Sequence, residues 1–317
     1  MSRFTKLRNL RREVYHVYSS GHSKCKRNCL LLVDIEVSLK ISKYDHHYVS
    51  VTGSNKGIGF AIVRSLCRKF DGDVYLTSRD ESRGKQAVSE LEKEGLKPLY
   101  HQLDICNAES RDTLAKFIKE KYGGLDVLVN NAGIAYKRNS TAPFAEQAEV
   151  TVETNCLATL AFCQKMLPLL RPGARVVNVS SMASISALNN SSAELSTKLK
   201  SLSTTEDLTT YMKKFIEDVK AGSHTEAGWP QTAYGVSKIG VTLMTPILQK
   251  QLEEDETRPD IVINSCCPGY VATDMSSYKG TKTIDEGADT PVYLALLPPN
   301  TDIKGEYVSE RKVQKYK

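Results

Sequence analysis

From residue 48 onward the apolar positions of this chain switch repeatedly between two spacings. Short runs rich in β-branched residues predict strands at Val49–Val51, Val74–Thr77, Leu99–Leu103, Leu125–Val129, Arg175–Val179 and Ile261–Ser265. Between them apolar residues recur every three or four positions, which predicts helices. These begin at Ile58 and cover Arg83–Glu94, Ser110–Tyr122, Val152–Leu170 and Thr232–Leu252. Gly95, Gly123-Gly124 and Pro172-Gly173 punctuate their ends. Leu125–Val129 and Arg175–Val179 read as strands covered on both faces. Such alternation predicts an α/β fold: a Rossmann-type doubly wound parallel sheet of about seven strands, with helices on both faces. In that architecture ligands bind beyond the carboxyl ends of the strands. Four segments follow strands directly: Gly53–Gly59, Asn131–Gly133, Ser180-Ser181 and Pro268-Gly269. They are expected to converge on one crevice.

The first of these segments carries the most information. Thr52-Gly-Ser-Asn-Lys-Gly-Ile-Gly59 joins a strand to a helix. Glycines there allow a tight turn and a close backbone approach, and a helix N-terminus aims free N–H groups at an anion. The turn therefore predicts a dinucleotide phosphate site built on Gly53, Asn55, Lys56, Gly57, Ile58 and Gly59. Choice of dinucleotide follows from charge. An NAD site would place an acid about twenty residues further on to hold the ribose 2′-hydroxyl. Here the second strand runs into Thr77-Ser78-Arg79, with Asp80 the first acid. Arg79, Arg83 and Lys56 can instead surround a 2′-phosphate, which selects NADPH.

Composition narrows the class without changing it. Hydrophobic residues make up 40% and charged residues 25% of 317, as in ordinary globular proteins. No apolar run reaches 18 residues, so no transmembrane helix is expected. Residues 1–43 hold ten Lys/Arg and three acids, a net charge of +7 against +6 for the chain, so residues 44–317 sum to −1. That nearly neutral part shows no nucleic-acid footprint. The sequence divides into a basic extension, 1–43, expected to be poorly ordered, and one NADPH-binding domain, 44–317. The extension's Arg-rich, acid-poor, amphipathic start also fits a mitochondrial transit peptide or a membrane-surface helix. Otherwise a cytoplasmic location is expected. Eight cysteines without a secretory signal read as free thiols in a reducing compartment. Cys25 and Cys29 with His22, His46 and His47 match no closed zinc template, so no metal is expected.

Four polar side chains carry the chemistry: Asn155, Ser181, Tyr234 and Lys238. Tyr234 and Lys238 stand four apart and share one helix face. A phenol near pKa 10 is a poor acid–base group at neutral pH, and a neighbouring ammonium lowers it. With the glycine turn, Asn130-Asn-Ala-Gly133 and Pro268-Gly269, these residues resemble the motif set of the short-chain dehydrogenase/reductases. The likeness runs from residue 48 to about 310. Gly-x-x-x-Gly-x-Gly resembles the compact branch, and Gly123–Ala135 and Thr290–Pro298 are similar to segments of the monomeric carbonyl reductases of animals. Ser181 and Tyr234 lie 53 residues apart. The added residues, about 185–228 with a helix over Leu208–Val219, resemble the insert by which those reductases cover a dimer face.

The resemblance implies roles. Ser181 orients a carbonyl oxygen, Tyr234 protonates the developing alkoxide, and Lys238 lowers the Tyr234 pKa and holds the ribose. Asn155 links Lys238 to solvent through a water. Asp104 and Ile105 are implied as adenine contacts, Asn131 as a cofactor contact, and Val271 and Thr273 as the lip around the nicotinamide. Trp229 and Met275 are expected to wall a pocket for bulky or aromatic carbonyls and quinones. By resemblance, Tyr136, Lys137 and Gln147 hold a glutathione moiety, which adds glutathionylated aldehydes. Cys266 and Cys267 are either buried strand-end thiols or thiols at the mouth. Two other functions stay open: an NADPH-binding sensor without turnover, and a steroid or prostaglandin dehydrogenase working oxidatively. One feature departs from the family. His46-His-Tyr-Val-Ser-Val51 is short and polar at its start, although this strand should lie centrally in the sheet.

Overall fold

The computed structural model describes residues 46–137 and 139–316; the basic extension and its Cys25/Cys29 pair lie outside them. Eight strands form one sheet in the order β3-β2-β1-β4-β5-β6-β7-β8. They are β1 (Tyr48–Val51), β2 (Asp73–Ser78), β3 (Leu99–Gln102), β4 (Leu125–Asn130), β5 (Leu170–Val179), β6 (Val262–Cys267), β7 (Tyr307–Ser309) and β8 (Lys312–Val313). The first seven run parallel; β8 adds a short antiparallel edge through Val308↔Val313 and Ser309↔Lys312. The eighth strand escapes sequence reading because two residues show no period.

Strand order reverses between β1 and β4, which register as Val49↔Val127 and Val51↔Val129. Two apolar layers cover the faces. One contains Val49, Val51, Ile62 and Leu66 of β1 and the following helix. The other contains Leu128, Val176, Ile239 and Met244. The helices are α1 (Gly57–Lys69), α2 (Glu81–Lys93), α3 (Ala108–Tyr122), α4 (Phe144–Val152), α5 (Ala158–Met166), α6 (Met182–Asn189), α7 (Ala193–Lys200), α8 (Thr205–Lys220), α9 (Ala233–Glu253) and α10 (Ile284–Ala295).

The polar start of β1 is accommodated by Asp126 of β4. Its carboxylate accepts from the Tyr48 N–H at 2.7 Å and pairs with His47 at 3.0 Å and Arg171 at 2.9 Å. All four residues of β1 are buried. The stretch 152–170 is not one helix. A π-helical turn at Glu153–Leu157 separates α4 from α5, and a 3-10 turn at Leu167–Leu169 leads into β5. Apolar spacing is nearly the same through all three, so the pattern alone merges them. Pro172-Gly173 lies within the span of β5; Gly173 has φ 80° and donates its N–H to Pro259 O.

The insert folds as α6, α7 and α8. Helix α8 buries Leu208, Met212, Phe215, Ile216 and Val219 and packs across α4 and α9. No helix of the described residues is long and apolar enough to cross a membrane.

Candidate active site

The turn after β1 is shaped by close backbone approaches. Gly53 and Gly57 have φ 59° and 60°. A Cβ on Gly59 would lie 2.5 Å from Asn131 Nδ2 and 2.7 Å from Gly53 O, so only glycine fits there. Asn131 clasps the turn by donating Nδ2 to Thr52 O and Gly53 O, both at 3.0 Å. Thr52 Oγ1 returns two bonds, accepting from the N–H groups of Asn131 and Ala132. Helix α1 opens at Gly57 with no side-chain cap and no acid in its first turn. Its free N–H groups therefore suit an anion. Asn55 and Ile58 lie half-buried in the same turn.

Arg79 is exposed at the end of β2 and makes no ion pair among the described residues. Arg83 lies one turn into α2, with Nε 3.8 Å from Asp80. Lys56 does not reach toward them: its Nζ pairs with Asp274 at 2.6 Å. Asp104 follows β3, where its Oδ1 accepts from Cys106 N, and Ile105 is buried beside it. Pro268 and Gly269 follow β6. Val271 is buried and bridges to Lys282, while Thr273 Cγ2 lies 3.4 Å from where a Gly57 Cβ would be. The lip thus touches the glycine turn.

The four chemical residues meet on the other side of this crevice. Ser181 caps α6, its Oγ accepting from Ala183 N at 3.1 Å. Thr232 caps α9 by accepting from Gly235 N, which sets Tyr234 and Lys238 on the first turns. The Tyr234 hydroxyl lies beside the Ser181 hydroxyl. Lys238 Nζ donates to Val179 O at 2.8 Å and lies 5.8 Å from the centre of the Tyr234 ring. Asn155 sits in the π turn and is 1% exposed. Its Oδ1 accepts from Ile134 N; its Nδ2 donates to Ile134 O and Ser237 Oγ. Both amide protons are committed, which leaves the second lone pair of Oδ1 open to a water.

Burial decides the electrostatics here. It lowers Lys238 to about 8, with the thiols of Cys266, Cys156 and Cys267 acting in the opposite sense. It raises Tyr234 to about 12 against the opposing effect of the neighbouring Ser181 hydroxyl. The lowering of Tyr234 expected from Lys238 is not seen: burial sets the phenol, and the neighbouring Cys267 thiol adds to the rise. Cys266 and Cys267 are both buried. Cys267 Sγ accepts from Met182 N and Gly269 N, each at 3.3 Å, the arrangement of a strand-end thiol.

An open cavity of about 550 Å³ adjoins the site, lined by Ala183, Ser186, Ala187, Trp229 and Thr232 among others. Trp229 borders it but is only 3% exposed; its ring packs on Phe215 and Nε1 donates to Asp218 at 2.9 Å. Met275 is 43% exposed on the lip. Sequence reading overlooks three comparable side chains, Met182, Tyr270 and Tyr278, all exposed. Their adjacency to Ser181, Gly269 and Thr273 was the available signal. Tyr136 donates to Glu146, Gln147 donates to Ala142 O, and Lys137 is exposed.

An anion-binding turn at a topological switch point, facing a Ser–Tyr–Lys group, defines a dinucleotide-dependent oxidoreductase. The short chain dehydrogenase family model matches residues 47–215 and 219–283, and the chain belongs to that family. It is 55% identical to Carbonyl reductase (NADPH) 1 of Mus musculus over 266 residues, covering 83% of this chain and 96% of that protein. Identity to the protein of the same name from Homo sapiens is 53% over 272 residues, 85% and 98% of the two chains. Among solved structures, salutaridine reductase from Papaver somniferum matches with a TM-score of 0.74 and 28% identity, over 83% of this chain and 99% of that one.

Proposed function

We propose that this protein is an NADPH-dependent carbonyl reductase that converts quinones and aromatic aldehydes and ketones to alcohols. The observation that carries it is the juxtaposed Ser181 and Tyr234 hydroxyls with Lys238 one turn on, beside the glycine turn. Residues present fit NADPH: the uncapped start of α1 suits the pyrophosphate, and unpaired Arg79 with nearby Arg83 suits the 2′-phosphate. Asp104, Ile105, Asn131, Val271 and Thr273 complete the cradle. When bound, the cofactor supplies hydride. Ser181 Oγ orients the carbonyl oxygen, and Tyr234, which holds its proton well above neutral pH, donates that proton to the alkoxide. Lys238 holds its charge below about pH 8 and stabilises the phenolate left behind. Asn155 fixes the Ile134 loop against α9 and admits the water that reprotonates Lys238.

Exposed Met182, Tyr270, Met275 and Tyr278 supply apolar surface for bulky substrates. Exposed Lys137, with Tyr136 next to it in the chain and Gln147 on α4, supports glutathionylated aldehydes as further substrates. Residues 44–317 act as one domain and as a monomer, because α8 covers α4 and α9. The location is cytoplasmic, or mitochondrial if residues 1–43 are a transit peptide.

The test is NADPH consumption with menadione-like quinones, aromatic aldehydes and a glutathionylated aldehyde. Tyr234→Phe should lose at least about a hundredfold in kcat while still binding NADPH. Wild-type turnover by that variant would sink the assignment. NADPH binding with no turnover of any substrate would return the sensor reading.

A further inference from the structure

The C-terminal strand β8 brings the end of the chain back beneath the site. Gln314 N donates to Tyr307 O at 2.8 Å, and the Tyr316 ring stacks at an angle on Tyr307, centroids 5.7 Å apart. Tyr307 in turn donates its hydroxyl to Met182 Sδ, one residue from Ser181. The Tyr316 hydroxyl is out of contact with water and has no well-formed hydrogen bond; it lies beside the hydroxyls of Ser184 and Thr242.

Those two hydroxyls hold the backbone of the reacting residues. Ser184 Oγ donates to Ser181 O at 2.7 Å. Thr242 Oγ1 and Ser180 Oγ lie 2.6 Å apart, and each also approaches Lys238 O, at 3.0 and 3.2 Å. Thr242 Oγ1 reaches Ser184 Oγ at 3.2 Å. One buried hydroxyl cluster therefore ties α6, which begins at Ser181, to the turn of α9 that carries Lys238.

We propose that Tyr316 is a positioning residue: the C-terminal tail seals the hydroxyl cluster of Ser180, Ser184 and Thr242 and thereby fixes Ser181 against Tyr234 and Lys238. A ring at residue 316 keeps water from competing for the two carbonyls. Without it, water enters, the bonds to Ser181 O and Lys238 O become interchangeable with solvent, and α6 shifts against α9. The anion-binding turn lies outside this cluster, so the main hold on the cofactor, at its phosphates, is kept. A displacement of about an ångström at a reacting group can lower turnover about a hundredfold.

The inference rests on the assignment of Ser181, Tyr234 and Lys238 above. Its test uses the full chain, with kcat counted per NADPH-binding site so that unfolded protein drops out. Tyr316→Ala should lower kcat about tenfold with the KM for NADPH within about twofold of wild type, and Tyr316→Phe should recover most of it. Thr242→Val should lower kcat similarly, and the double variant should lose no more than either single change. Undiminished kcat in Tyr316→Ala, or fully additive losses in the double variant, would overturn the role of the tail. Tyr234→Phe, measured alongside, separates the two readings: its inactivity with an active Tyr316→Ala removes only the tail, while its full activity removes the assignment itself.

Discussion

Lys238 and Tyr234 are pushed in opposite directions by the same burial, Lys238 to about 8 and Tyr234 to about 12. The phenol is therefore a stored acid across the whole neutral range, and the ammonium is the group that titrates. In the reducing direction kcat/KM should be level below about pH 8 and fall above it, as Lys238 loses its charge; kcat/KM reports groups of the free enzyme. A pH–rate series that stays level to pH 10 would remove Lys238 from this role. Stability follows the reverse sense. Folded Lys238 releases its proton near pH 8 and the unfolded side chain near 10.5. Between these values the unfolded chain binds more protons, so this group adds stability as pH rises. Below pH 8 it opposes folding by a constant amount. Lys238→Met should then melt at a higher temperature than wild type at pH 7, with the difference shrinking toward pH 10. Arg79 makes the cofactor prediction. Arg79→Ala should weaken NADPH binding by about ten- to a hundredfold and leave NADH nearly unchanged, read by cofactor fluorescence titration. Equal losses for both cofactors would place Arg79 elsewhere than on the 2′-phosphate.

At the scale of elements, α9 shows how tightly the reacting residues are framed. The helix is buried on nearly every side, which hides its amphipathic signal but suits a helix between layers. Gly240 is where α9 meets the π turn and the insert together. A Cβ there would lie 2.3 Å from Cys156 Sγ and 2.9 Å from Met212 Sδ. Gly240→Ala should destabilise the fold by about 1–3 kcal/mol, read from denaturant melts; an unchanged midpoint would mean that α8 yields freely. Strand β1 carries a different lesson. Its polar start looked foreign in sequence because the partner for Tyr48 N is Asp126, 78 residues away. No local pattern shows a carboxylate arriving from the next strand. The break of 152–170 into two helices and a π turn was hidden for the opposite reason, since the apolar spacing hardly changes through it.

For the whole molecule the decisive feature is the insert. With α8 packed over α4 and α9, its five buried apolar side chains cover a face that, on the monomer reading proposed above, would otherwise be open to a second copy. Light scattering at micromolar concentration should give one species near 35.2 kDa, unchanged with NADPH. A species of twice that mass would show that α8 leaves another face for pairing. The alternation of strands and helices, the glycine turn after β1, the Arg79 that follows β2 and the Tyr234/Lys238 spacing were legible in the sequence alone, because period, glycine and charge are local properties. Only the tertiary structure decided that Asp126 completes β1, that Lys56 turns to Asp274, that burial holds the Tyr234 phenol up, and that Tyr316 packs on Tyr307 close to Ser181. Each of these depends on which distant group arrives, and on how much water it displaces.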